Sequence, residues 1–470
     1  MKTKQIFAAL AILSTLLFAS VGHAAFVTAT NSGNWSNTNI WNTATLPTNS
    51  DDVFIAAGVN VTVDITNAMA FTISDDTTAG AVTMGPNSTL NIYGNFGTDQ
   101  LTLLDATAAG NTVIYWDNPF FAKECDYFNL AFCNTNYAVS NMSYTSNYQN
   151  FNNFSRHGPT PMNIAGDMTV LGNIRVQQGA DMSIGGNLIV GQYCGWDSSV
   201  ANLTVMGNTV MGGFLMDLNN ALGTNGFYGN LTVTATSYFW YISDVTTWFL
   251  NGNLTNNGAI LGAGYGSIIF NGTGNIAGSK AIKIPTMTVN GTYTIGTTIT
   301  LTTNTPTLNG TLVFDIAHTN QIVLLPGAGT ALYYSGNLNV INSGAEPASG
   351  ASYTFFTCLN GFGGAFGSTS FPSLSGGKSW VDHLLTSGSI AVTGGITGFP
   401  IITMSKSGSV LSLSWDSTTF PGYQVYTLTN SAGVITNLSH SWKATGSNTS
   451  PATFAISPAN PAVFFRLSKP

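Results

Sequence analysis

Between residues 165 and 345 the chain consists of short β-favouring runs, cut by Gly-Asn or Asn-Gly every 15 to 30 residues. Five runs resemble one another: Gly166-Asp167-Met168-Thr169-Val170, Gly186-Asn187-Leu188-Ile189-Val190, Ala201-Asn202-Leu203-Thr204-Val205, Gly229-Asn230-Leu231-Thr232-Val233 and Gly252-Asn253-Leu254-Thr255-Asn256. In each, the third and fifth residues are mostly apolar and the fourth is usually Thr, the alternation of a strand with one buried face. Gly and Asn at the entry tolerate the backbone of a sharp corner. The runs start 20, 15, 28 and 23 residues apart, and Gly336-Asn337-Leu338-Asn339-Val340 repeats the unit later.

An irregular repeat of this length predicts an all-β fold, a right-handed parallel β-solenoid (β-helix). Stacked rungs bury an apolar pair that no single rung could bury alone. Leu231 is expected to point inward and Thr232 outward. Stacked Asn side chains are expected to hydrogen-bond from rung to rung, as amide ladders do. Tandem seven-stranded sandwiches would also give short strands and frequent turns, but the recurring Gly-Asn-Leu-Thr-Val unit favours the solenoid.

The pattern divides the chain. Lys2 and Lys4, the apolar run Ile6 to Phe18 and the small-x-small Gly22-His23-Ala24 read as a signal peptide over residues 1–24, cleaved before Ala25. That apolar run is too short to span a bilayer, which takes about 20 residues, and no transmembrane segment is expected in the mature chain. Residues 25–64, with Trp35 and Trp41, are expected to cap the solenoid, because an open first rung would pair with other chains. The solenoid is expected over 65–395, with an aromatic-rich segment at 113–162. From 400 to 470, the alternation of Leu411, Leu413 and Trp415 with Ser412, Ser414 and Asp416 predicts a small C-terminal β-sandwich.

Three segments carry resemblances. Residues 31–64 (Asn34-Trp35, Trp41, Pro47, Asp51-Asp52-Val53-Phe54-Ile55, Val61-Thr62-Val63-Asp64) resemble the opening of exported bacterial β-helix proteins and, loosely, of G8-type domains. Gly310-Thr311-Leu312-Val313-Phe314-Asp315, Ser352-Tyr353-Thr354-Phe355-Phe356, Gly361 through Phe366 and Trp380 through Val392 resemble the end of an autotransporter-type passenger region. The ending Asn460-Pro461-Ala462-Val463-Phe464-Phe465-Arg466-Leu467 resembles the terminal module of large secreted bacterial proteins. These resemblances imply a secreted or cell-surface protein whose last module sorts or anchors it. The chain departs from the autotransporter pattern in lacking a following run of alternating membrane strands.

Composition narrows the function. Charged residues make up 7% of the chain, against about 25% in ordinary soluble domains. Beyond residue 24, ten Lys and Arg face 19 Asp and Glu, and scattered basic residues make no phosphate-tracking stripe, so no nucleic-acid partner is expected. His157, His318, His383 and His440 show no metal-ligand spacing, and no nucleophile elbow or phosphate loop occurs; no cofactor and no metal are expected. The most enzyme-like set is Asp167, Arg175 and Asp181, but the acidic residues read mainly as turn residues, and no catalytic residue is assigned.

The segment that stands out is 115–154, with 12 aromatic residues in 40, interleaved with Asn. Two readings stay open. Aromatic faces and amides suit sugar rings and hydroxyls, making Trp116, Tyr127, Phe128 and Tyr144 candidate carbohydrate-binding residues and an extracellular glycan or cell-surface component the candidate partner. The preferred reading is a self-packing segment, since most ordered aromatics fill core. Four cysteines allow three complete pairings; Cys125 and Cys133, the near neighbours, are expected to form a disulfide that seals this segment. The function expected is therefore an exported structural or adhesive β-solenoid, with a polysaccharide-binding or polysaccharide-degrading β-helix as the alternative.

Overall fold

The computed structural model describes residues 25–76, 80–94, 101–116, 123, 125–133, 152–155, 161–171, 174–177, 180–192, 194–197, 202–216, 224–240, 247–261, 266–325, 330–394, 399–429, 442–457 and 463–469. The expected signal peptide, Tyr144 and much of the aromatic segment lie outside these residues. The chain divides into two units, one of residues up to 340 with 355–370, the other of 341–354 with 371–470.

In the first unit the period-two alternation becomes a parallel β-solenoid of about ten turns. From residue 152 onward each turn contributes one strand to a ten-stranded, one to an eight-stranded and one to a fourteen-stranded sheet in succession. Every strand pairs in parallel with its counterpart one turn on. In the fourteen-stranded sheet Met168 aligns with Leu188, Leu188 with Thr209, Thr209 with Leu231, and Leu231 with Leu254. Leu231 and Val233 are buried and Thr232 is half-buried on the outer side, as the alternation predicts.

This register corrects the repeat. Leu203–Val205 belongs to the eight-stranded sheet, stacked between Met182–Ile184 and Thr224–Phe227. The true counterpart on the fourteen-stranded sheet is Gly207-Asn208-Thr209-Val210-Met211, where Thr replaces the repeat Leu. The starts then fall at 166, 186, 207, 229 and 252, and the uneven spacing disappears. At this corner a Cβ on Gly207, Gly229 or Gly252 would overlap the carbonyl oxygen of the glycine one turn below, so only glycine lets the rungs close to strand spacing.

Two devices hold the stack besides burial. The first is a ladder of side-chain caps. The backbone amide of Asp167 donates to Asn129 Oδ1 (2.8 Å), that of Asn187 to Asp167 Oδ1 (2.6 Å) and that of Asn208 to Asn187 Oδ1 (2.9 Å). Asn230, Asn253 and Asn275 continue it at 3.0, 3.0 and 2.8 Å. Each corner amide points away from the sheet ladder, and the Asx oxygen one turn below satisfies it. The second device closes the first strand, Phe26–Ala29. The amide of Thr28 donates to Asn42 Oδ1, that of Thr30 to Ile40 O, and that of Asn42 to Thr28 O. Residues 40–42 thus cover an edge that would otherwise template another strand. Trp35 and Trp41 are both buried, their rings meeting edge-on with centroids 5.0 Å apart.

The second unit is antiparallel. Lys378–His383 and Ser352–Thr354 flank Ser389–Gly394. Two further three-stranded sheets, 403–407/410–414/452–455 and 424–429/443–444/463–468, enclose a small core. It consists of Leu413, Trp415, Val425 and Ala452 with Leu411, Phe454, Phe465 and Leu467 packed around them, the small sandwich expected from the sequence.

Candidate functional site

The sequence-derived candidates separate once placed. Tyr127 sits in register between Ala106 and Ile164 on successive turns and is 1% exposed. Its hydroxyl donates to Lys123 O at 2.6 Å and lies 3.4 Å from the Tyr115 hydroxyl. Burial pushes its phenol well above the usual range. Tyr127 is therefore core, and no sugar can stack on it; the alternation of the strand turned its ring inward. Phe128 is half-buried, with its Cε1 3.1 Å from the position a Cβ on Gly166 would take.

Trp116 is the aromatic that the fold leaves at the surface. Its indole Nε1 donates to Asn91 Oδ1 at 2.8 Å, and its ring stacks on Tyr93 at 6.0 Å and 8°. The amide of Trp116 bonds Ile92 O and that of Tyr93 bonds Ala70 O. Phe71, Tyr93 and Trp116 thus occupy one corner of three successive turns. Phe71 is 39% exposed and the other two are half-buried. Phe71 and Tyr93 escaped the sequence reading because they lie outside the aromatic-rich segment; their signal was a spacing of 22 and 23 residues, one turn each. One face of Trp116 is taken by Tyr93, so this corner offers ring edges more than open plates.

The expected disulfide is not formed: Cys125 and Cys133 are free thiols. The reason is geometric. Asn129–Cys133 is an extended strand, so Cys133 lies roughly 13 Å from Asn129, and Cys125 lies four residues to the other side of that end. A disulfide requires Cα atoms within about 7 Å. Burial pushes the Cys125 thiol up to about 11 and also raises that of Cys133, which leaves both as poorly nucleophilic thiols at neutral pH.

The enzyme-like set dissolves as well. Asp167 is a rung of the cap ladder. Asp181 Oδ1 accepts from the amide and side chain of Asn202 at 2.8 and 3.1 Å, and Arg175 belongs to the ten-stranded sheet, beside Gly195. A shallow groove of about 570 Å³ runs outside the eight-stranded sheet, lined in part by Asp126, Asn163, Asp181, Ser183 and Thr204. Its two carboxylates stand two turns and two residues apart by register, or roughly 12 Å between Cα atoms. That is wide for a glycosidase pair, whose carboxyls lie at about 5–9.5 Å. Asp126 is also engaged, accepting from the Asn163 amide at 2.9 Å. Elsewhere Asp52, Asp64, Asp75 and Asp105 accept from nearby hydroxyls, and Asp64, Asp75 and Asp105 from backbone amides too. Among the described residues no group of three or more His, Cys, Asp or Glu is placed to hold a metal ion, and no helix is long and apolar enough to cross a membrane.

The fold and these sites define the chain as a parallel β-solenoid protein with a second, antiparallel unit. No protein-family model, curated protein or solved structure matches it.

Proposed function

We propose that the chain is an exported structural or adhesive β-solenoid of the cell surface or extracellular matrix. The observation that carries this reading is the use made of the carboxylates. Those along the solenoid accept hydrogen bonds from corner amides and hydroxyls, which stabilises stacking and leaves little for proton transfer. An acid–base pair needs two groups converging on one bond, whereas Asp167 and Asp181 each serve the next rung. An outer surface of Thr, Ser and Asn with few charges suits a durable extracellular rod. The signal-peptide pattern of residues 1–24 supports export.

Polysaccharide binding is the second reading, supported by the half-exposed Tyr93–Trp116 stack. The test is incubation of the mature chain with neutral and acidic polysaccharides, alongside Asp167→Asn and Asp181→Asn. These variants keep the acceptor oxygen, so all three proteins are expected to melt alike and to release no sugar ends. Release of reducing or unsaturated ends by the parent, lost in either variant, would establish an enzyme instead.

A further inference from the structure

The second unit reverses the charge of the chain. Residues 401–470 carry Lys406, Lys443, Arg466 and Lys469 against one acid, Asp416, while residues 25–400 carry 18 acidic and six basic residues. Asp416 is occupied: its Oδ1 accepts from the amides of Thr418 and Thr419 at 3.1 and 2.9 Å, closing its own turn, and its hydrogen bonds to Thr419 lead in holding the carboxyl below its ordinary value. No carboxylate within this segment is left to neutralise its cations.

One of those cations is held in a defined setting. In the sheet 424–429/443–444/463–468, Val425, Phe465 and Leu467 face the core, so Tyr426 and Arg466, directly opposite each other, face outward. The Arg466 guanidinium carbon lies 5.4 Å from the centre of the Tyr426 ring and 4.7 Å from that of Trp442. At the end of the same strand Lys469 Nζ lies 5.5 Å from the Tyr423 ring. Contact with ring faces holds a guanidinium by its flat sides and leaves the in-plane N–H groups free at its edge. That edge is the donor fork that fits a carboxylate in a two-point contact.

We propose that this face binds an acidic polysaccharide, with Arg466 taking the carboxylate of a uronic acid unit and Tyr426 and Trp442 lying beside the sugar rings. Charge complementarity and the aromatic frame select this occupant. A nucleic acid calls for a longer basic stripe, and an anionic bilayer for a cluster of about four to eight cations at its surface. One framed arginine with a lysine at the strand end matches a polymer that alternates rings and carboxylates. The inference goes beyond the solenoid's proposed role and does not depend on it.

The test is affinity electrophoresis of the whole mature chain at low salt, in gels cast with polygalacturonate or with dextran. Retardation by polygalacturonate alone is expected, weakening as salt rises. Loss of a charge-assisted contact in Arg466→Gln should weaken binding about tenfold. Arg466→Lys should recover little, because an ammonium lacks the fork, and Lys123→Gln should bind like the parent. Thermal melts accompany each variant; if Arg466→Gln is unstable, Lys469→Gln, at the strand end, serves with an expected weaker loss. The proposal is overturned if the parent is not retarded, if the folded arginine variant binds undiminished, or if Arg466→Lys binds like the parent. Tighter binding to phosphatidylglycerol vesicles than to polygalacturonate also overturns it.

Discussion

Leu231 tests the stacking principle most directly. Its side chain is 1% exposed and lies between Thr209 one turn before and Leu254 one turn after. Leu→Ala substitutions at buried sites cost about 2–5 kcal/mol, more where the surroundings cannot relax into the cavity. Here the neighbours are fixed by backbone ladders on both sides, which places Leu231→Ala at roughly 3–4 kcal/mol. Leu231→Asp adds the cost of an unpaired buried carboxylate, several kcal/mol more, and is expected not to fold stably. Thr232, the next residue, faces outward, and Thr232→Ala should stay within about 0.5 kcal/mol. Thr209 is an internal control of opposite sign. It is buried with its hydroxyl unpartnered among the described residues, so Thr209→Val should raise stability. The assay is equilibrium urea unfolding of the mature chain followed by tryptophan fluorescence. With a urea slope of about 3 kcal/mol/M, Leu231→Ala should lower the midpoint by about 1 M. Hydrogen exchange should show the loss first in peptides covering 203–256, because each rung contacts only its neighbours. Equal midpoints for Leu231→Ala and Thr232→Ala would refute the register and the argument with it.

Two further outcomes follow from particular contacts. Asn42→Ala removes the acceptor for the Thr28 amide and loosens the cover over the first strand; concentration-dependent self-association is expected in sedimentation velocity, and a strictly unchanged sedimentation coefficient would show that residues 40–42 do not guard that edge. Glu346 is paired with Lys378 Nζ at 2.5 Å and accepts from Ser375, and the Lys378 contact leads in lowering its carboxyl from 4.5 to about 2. A depressed folded value means that its contribution is full above about 4.5 and is lost as pH falls toward 2; NMR titration should give a midpoint near 2, and Lys378→Met should raise it.

Much of the solenoid was legible because alternation and corner chemistry are local. Gly and Asn at the turn, apolar residues at every second position and the inward set of Leu231 all follow from one strand's geometry. The rung-to-rung Asn ladder was legible too, since stacking identical corners brings identical amides together. What misled was the Gly207 rung, where Thr209 replaces Leu while Ala201–Val205 on another face imitates the motif. Pattern matching cannot tell which face a run joins, because a face is defined by what stacks on it.

The candidate site was less legible for the same reason. Tyr127 and Trp116 are both aromatic residues in one dense segment, yet alternation buries the first and a corner exposes the second. Cys125 and Cys133 are close in sequence and kept apart by an extended strand. By itself the sequence determined the all-β class, the parallel stacking, the sandwich at the end and the scarcity of charge, because each is set by composition and short-range periodicity. Only the tertiary structure decided that Asp167 and Asp181 serve as corner caps, that Phe71, Tyr93 and Trp116 share one edge, and that Arg466 lies between Tyr426 and Trp442. Those neighbours are one turn or one strand pairing apart, and a contact made across some twenty residues exists only once the register that closes it is fixed.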